Sequence, residues 1–201
     1  MEPVKRRREM YAEATRQALL DVGLELFVQN GFSATSAEDL VQAAGLSRGA
    51  LYHHFDGKLG LFEAILEAQE QSALQRIIEA MSPVSDPWQQ GLAGMYAYLD
   101  ICCEQNYREI VLLQGPIALG WQRWRELDHQ HFSGMLAARV AGLVEDGVIV
   151  NHPVELIAAT IYGTLTELAL AIAGLDDTAQ ARVHAGDIVE RLLKSLSTQS
   201  V

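Results

Sequence analysis

Apolar residues recur along this chain at three- and four-residue spacing, and no convincing period-two run with hairpin signals appears anywhere. Within 11–29, Ala18, Leu19, Val22, Leu26 and Phe27 share one face, and Gly31 stands where a helix would stop. "TSAEDLVQAAG" predicts a second helix: Thr35 with Glu38 three residues later makes a capping-box pattern ahead of Leu40, Val41 and Ala44. Gly45 supplies a turn. Ser47 caps a third, very short helix through "RGALYHHF", and Asp56 with Gly57 ends it. A fourth helix starts near Lys58 and carries Leu61, Phe62, Ile65 and Leu66 on towards Met81. "SPVSDP", residues 82–87, is the clearest break in the chain. Beyond it the spacing predicts helices over 87–105, 107–115, 120–146, 153–174 and 178–197, with Pro153 suited to a first turn. The expected fold class is all-α, with a three-helix unit over 1–57 and a larger helical bundle over 58–201, in which 58–81 is the connecting helix.

Composition narrows the function. The chain has 201 residues, 49% hydrophobic and 20% charged, ordinary values for a globular protein. The start, "MEPVKRRREMYAEATRQ", has a basic run without an apolar segment behind it, unlike a secretory signal. No stretch approaches 18 uninterrupted apolar residues, so no membrane span is expected. Cys102 and Cys103 are adjacent and cannot form an ordinary structural bridge with each other, which points to a reducing cytoplasm. Mid-helix among Leu99, Ile101 and Ile110, they read as buried small hydrophobes rather than redox sensors. A net charge of -11 argues against a nonspecific nucleic-acid coat. It leaves room for a small basic face, since residues 1–66 hold seven basic and nine acidic side chains and the rest eight and seventeen.

The short stretch "AGLSRGALYHHFDGKLGLF" concentrates the chemistry. Two helices joined by a tight turn at Gly45 match the helix-turn-helix plan, whose second helix enters the DNA major groove. Leu51 and Phe55 lie four apart and face inward, leaving Ser47, Arg48, Gly49, Tyr52 and His53 on the outer side. Arg48 suits a phosphate or a guanine edge, Tyr52 and His53 a phosphate or a base, and Lys58 adds a point charge at the next helix start. Adjacent His53 and His54 point about 100° apart, whereas chelation on a helix wants spacing such as i, i+4, so no metal is expected. His129 and His131, two apart, have the wrong spacing as well. The run Lys5, Arg6, Arg7, Arg8 is either a solvated end or an arm reaching DNA.

Residues 14–66 resemble the DNA-binding domain of the TetR (tetracycline-repressor-like) family of bacterial transcription regulators. "NGFSATS", "AAGLSRGALYHHF" and the lysine followed by "LF" fall at that family's spacing. The resemblance implies that Thr35 and Ser36 touch phosphate or cap the second helix, that Ser47, Arg48, Gly49, Tyr52 and His53 lie on the recognition helix, and that Lys58 contacts phosphate. It also implies a homodimer on a palindromic operator of double-stranded DNA, most often a repressor relieved by a small-molecule effector. The bundle would then bind the effector and build the dimer.

For that bundle the residues say less. Trp88, Met95, Tyr96, Trp121, Trp124, Phe132 and Met135 are a core palette that ligand pockets share. Tyr96, Leu99, Trp124 and Phe132 are candidate cavity residues, with Gln114 and Glu167 as polar groups to orient a ligand. Ala159, Gly163, Thr166, Leu170 and Ala173 form a stripe of mainly small residues, and Ala181, Ala185, Ile188, Leu192 and Leu196 align on the last helix. Two such faces suit a dimeric four-helix interface. No nucleophile, base and acid spacing or metal constellation suggests an enzyme, and no cofactor is implied. The alternative to a regulator is a helical ligand-binding or interaction module that has lost operator binding.

Overall fold

A computed structural model of the chain describes residues 3–198, with side chains from residue 9 onward. The basic run Lys5–Arg8 therefore lies outside the described side chains. Among the described residues there is no strand, only an isolated bridge between Ile149 and Ser197. The helices are α1 (Pro3–Asn30), α2 (Ala37–Ala43), α3 (Arg48–His54), α4 (Gly57–Met81), α5 (Pro87–Cys102), α6 (Gln105–Tyr107), a π-helical stretch (Arg108–Gln114), α7 (Gly115–Ala118), α8 (Trp121–Glu145), α9 (Val154–Ala173) and α10 (Thr178–Lys194).

The second helix starts one residue later than the spacing predicts. Ser36, not Thr35, is its N-cap: the Ser36 hydroxyl accepts from the Asp39 N–H, and the Asp39 carboxylate accepts from the Ser36 N–H. "TSAED" contains both readings of the capping pattern, and burial of Thr35 selects the second. Ser47 caps α3 by accepting from Ala50 N at 3.3 Å, as expected from its position. Between α2 and α3, Gly45 adopts φ +64, a left-handed conformation that other residues resist. Asp86 and Pro87 open α5 together, the carboxylate accepting from Gln89 N at 2.8 Å.

The spacing does not reveal the π-helical stretch ahead of Pro116. A proline ring has no N–H to donate and clashes with the carbonyl four residues back, so the turn before it widens. The Trp124 indole N–H donates to the Val111 carbonyl inside that stretch at 2.8 Å.

A single buried cluster runs from Leu19, Phe27, Leu40 and Leu51 through Phe62 and Leu66 to Leu99, Trp124, Phe132, Ile172 and Val189. The N-terminal helices and the bundle thus share one core. At Gly23 a Cβ would come within 2.8 Å of Ile65 Cδ1, so α1 and α4 pack closely there. Phe27, Phe32 and Phe62 form a ring cluster with centroids 5.0 to 5.8 Å apart where α1 ends. A second, smaller cluster of Val140, Ile149, Ile157 and Ala158 takes in Leu196 near the end of the chain.

Candidate nucleic-acid interface and the cavity behind it

Helix α3 is anchored by its apolar side, where Leu51 is wholly buried and Phe55 is 8% exposed. That leaves Ser47, Arg48, Gly49 and His53 exposed and Tyr52 at 52% exposure, one contiguous polar face. The Arg48 guanidinium lies 5.6 Å from the Tyr52 ring centroid, which holds the two side chains together. His53 and His54 meet edge to face at 5.0 Å. A Cβ at Gly49 would touch nothing closer than Ser47 Oγ at 3.7 Å, so no contact within the chain demands glycine there. The Tyr52 ring in turn rests on Gly57, whose φ is +64 and where a Cβ would come within 3.1 Å of the ring. From α1, Arg16 places its guanidinium 5.3 Å from the Phe55 ring, a cation beside α3 that the sequence motif does not include.

Thr35 and Lys58 depart from expectation. Thr35 is 2% exposed, and its hydroxyl donates to the Gly31 carbonyl at 2.9 Å, so it plugs the turn between α1 and α2 instead of facing a phosphate. The half-buried Lys58 ammonium donates to the Phe32 and Thr35 carbonyls at 2.8 and 2.9 Å, and lies 4.1 Å from the Phe32 ring centroid. It clamps the same turn from α4. Gln114, expected beside a ligand, grips this turn from the bundle: its amide donates to the Phe27 carbonyl at 2.9 Å and accepts from Phe32 N at 2.8 Å. A helix end has open backbone groups, and these three side chains close them.

Behind this clamp the bundle encloses a cavity of about 120 Å3 between α4, α5, α8 and α9, closed at one side by Leu193 and Leu196. Its walls include Ile77, Met81, Met95, Tyr98, Phe132 and Leu136, and its polar side chains include Asp128, Thr166 and, at an exposed edge, Arg139. Of the ligand candidates only Phe132 lines it. Leu99 and Trp124 are fully buried in the core, Trp124 by packing on Gly115. Tyr96 sits between α5 and α10, donating to Glu190 beneath the Arg182 guanidinium, and Glu167 faces outward.

Asp128 and, nearby on α4, Glu70 are buried acids that the helical spacing alone does not single out as a pair. Both are buried, at 1% and 0% exposure. Asp128 accepts from the Tyr162 hydroxyl; Glu70 accepts from the Tyr107 hydroxyl at 2.9 Å and leaves its Oε1 without a partner. Burial pushes the Glu70 carboxyl well above the usual carboxylate range, and the Asp128 charge pushes it further. Burial also raises Asp128, against the pull of the Tyr162 hydroxyl and of Arg125, His129 and His131. A signal was present: Leu66, Glu70, Ala73 and Ile77 share a helix face, as do Trp124, Asp128 and Phe132, so each carboxyl interrupts an apolar stripe.

The predicted dimer stripes are partly turned inward. Thr166, Ala173 and Ala185 are buried within the chain, and Thr166 lines the cavity. Ala159, Ile188 and Leu192 are exposed, and Gly163, Leu170, Ala181 and Leu196 are half-buried. Helix α9 is apolar over most of its circumference, so periodicity leaves its outward side open. With a mean hydropathy of 1.7 it is long and apolar enough, by length and composition alone, to cross a membrane, and a third of that window is buried against the rest of the chain. Leu156, Val183, Ile188 and Leu192, at 66, 61, 48 and 51% exposure, leave a broad apolar outer face on α9 and α10. Cys102 is buried, which pushes its thiol pKa up, and Cys103 is half-buried.

A short capped helix exposing Arg48, Tyr52 and His53 on a helix-turn-helix scaffold, joined to a helical bundle, defines a DNA-binding transcriptional regulator. Residues 19–65 match the family model for bacterial regulatory proteins of the tetR family, and residues 88–196 match the tetracyclin repressor-like C-terminal domain. The chain belongs to the TetR family. It is 33% identical over 104 residues to the transcriptional regulator SrpR of Pseudomonas putida, a match covering 52% of this chain and 48% of that protein. The chain thus spans about half the length of that relative. The Tn10 TetC protein of Escherichia coli is 22% identical over 184 residues, 92% of this chain and 93% of that one. A crystal structure of a TetR-family transcriptional regulator from Pectobacterium atrosepticum superposes with a TM-score of 0.84 at 29% identity, covering 96% of this chain and 98% of that one.

Proposed function

We propose that this regulator is a repressor that binds a palindromic operator as a homodimer in the cytoplasm and is released by a small molecule held in the bundle. The observation that carries the reading is α4. One end of this 25-residue helix clamps the turn of the N-terminal head through Lys58, and the other lines the cavity with Ile77 and Met81. At about 1.5 Å per residue it spans roughly 37 Å without a break. A ligand that shifts α4 at the cavity shifts the head with it, and ligand affinity that differs between the two head positions moves the population between them.

In this reading residues 1–57 form the DNA-binding head and 58–201 the ligand-binding and dimerisation domain. Arg48 reads a guanine edge or phosphate, while Ser47, Tyr52 and His53 contact the DNA and Gly49 allows its backbone close. Ser36 acts as the cap that aims α2. The apolar outer face of α9 and α10, through Leu156, Ala159, Gly163, Ile188 and Leu192, meets its two-fold copy, which sets two recognition helices about 34–36 Å apart or wider.

Selection of bound fragments from random DNA with the purified protein tests this. A recovered inverted repeat, together with a dimer mass by light scattering, is the expected result, and Ile188→Asp should lower both the mass and the affinity. A monomer selecting no repeat would sink the operator-reading model.

A further inference from the structure

One carboxyl, Asp128, lines the cavity, with Glu70 buried nearby on α4, and Arg125, His129 and His131 lie close enough to Asp128 to draw its carboxyl down. Asp128 lines the cavity at 1% exposure, and Glu70 lies close enough for its proton affinity to be raised by the Asp128 charge. Among the described residues, no ion pair within 4.0 Å involves either carboxyl. Each accepts one tyrosine hydroxyl, and Glu70 Oε1 accepts nothing. A buried carboxyl in this position either keeps its proton or waits for a cation.

The remaining walls favour the cation. Tyr98, Phe132 and Tyr162 line the cavity, and aromatic faces attract a desolvated ammonium. The Tyr162 ring already has the Arg125 guanidinium 4.8 Å from its centroid. An anion would meet Asp128 at the floor. Arg139 is the basic side chain lining the cavity, and it is exposed at the edge and already donates to Gln90 Oε1 at 2.6 Å, while Arg125, His129 and His131 act on Asp128 without lining the cavity. A neutral ligand would leave the two acids as burial leaves them now.

We propose that the cavity selects a small lipophilic amine, bound as its ammonium against Asp128 with its apolar part among Met95, Tyr98, Phe132 and Leu136. The ammonium donates to the Asp128 carboxylate, which already accepts from the Tyr162 hydroxyl. The cavity volume, about 120 Å3, sets the scale at one ring, since apolar protein cavities near 150 Å3 take up benzene. A longer substituent would leave past Arg139. This inference rests on the ligand-responsive reading above and adds the ligand's charge and size.

Calorimetric titration of the full chain at neutral pH with benzylamine, benzyl alcohol and benzoate separates the possibilities. The expected result is benzylamine at least tenfold tighter than benzyl alcohol, with benzoate weakest. Asp128→Asn should erase the amine's advantage and leave the alcohol's affinity unchanged, and Glu70→Gln should reduce the advantage less. Equal binding of amine and alcohol, or tightest binding of benzoate, overturns the cation and leaves a ligand-binding bundle. Failure of all three to bind at millimolar concentration overturns the one-ring amine and leaves the ligand-responsive reading to its own test. The wild-type comparison decides the class even if Asp128→Asn folds poorly.

Discussion

The head and the bundle use polar groups in opposite ways. On α3, Arg48, Tyr52 and His53 stand in solvent on a helix held by two apolar anchors, Leu51 and Phe55. In the bundle, Asp128 is buried at the cavity wall and Glu70 nearby on α4, at a cost in desolvation that their tyrosine partners offset only in part. The exposed set occupies seven consecutive residues from Ser47; the buried pair is separated by nearly sixty positions in the chain. A surface meant for a charged polymer can be built on one short helix. An enclosed site needs several elements, so its parts are scattered along the sequence.

The sharpest break in this comparison would be independent folding of the two regions. Because one buried cluster runs through both, truncating the fully buried Trp124 to alanine should cost about 3–5 kcal/mol and lower a single transition in which α1 and α8 unfold together. Calorimetry with hydrogen exchange on α1 reports this. Two separate transitions, with the head unmoved, would make head and bundle separate folding units.

Arg48→Ala tests the exposed side. Loss of a base-edge contact costs about 1–3 kcal/mol per half-site, so operator affinity measured by anisotropy should fall at least tenfold. Stability should change by less than about 0.5 kcal/mol, since the side chain is exposed. Unchanged affinity would turn attention to Arg16 and to the basic run at 5–8.

Gln114→Ala probes the connection between the regions. It leaves the Phe27 carbonyl and the Phe32 N–H without their side-chain partner, at a cost of about 1–2 kcal/mol. Faster amide exchange over 27–35 is expected, with the cavity's ligand affinity retained. If exchange there does not change, Lys58 and Thr35 hold the turn without it.

How much was legible follows from the same division. The helix order, the break at 82–87 and the outward face of α3 could be read because each depends on neighbours three or four residues apart. For Thr35 and Lys58 the sequence leaves the partner open, because a hydroxyl and an ammonium serve a phosphate or a carbonyl equally well, and only the fold brings the Gly31, Phe32 and Thr35 carbonyls within reach. Gln114 bonds to residues 82 and 87 positions away, which no local pattern encodes. The aromatic residues of the bundle take two different places: Trp124 fills core and Phe132 lines the cavity. Periodicity gives the face of a helix without saying what lies opposite it.

The smallest expected effect separates a buried acid from an exposed one by pH. Burial and the Asp128 charge raise the Glu70 carboxyl, so the folded chain keeps a proton that the unfolded chain releases near pH 4.3. The folded state then binds more protons than the unfolded one, and stability from this group is complete below about pH 4.3 and is lost as pH climbs through the raised value. Asp128 acts with the same sign. Asp39 and Glu104 act oppositely: hydrogen bonds from Ser36 and from Arg76 hold them low, so their contribution disappears in acid. Comparing wild type with Glu70→Gln isolates the buried group from that background. Denaturant midpoints between pH 5 and 8 should converge toward the acid end and separate toward the alkaline end, the variant becoming the more stable by on the order of 1 kcal/mol. Parallel curves would mean that Glu70 keeps its charge in the folded chain despite its burial.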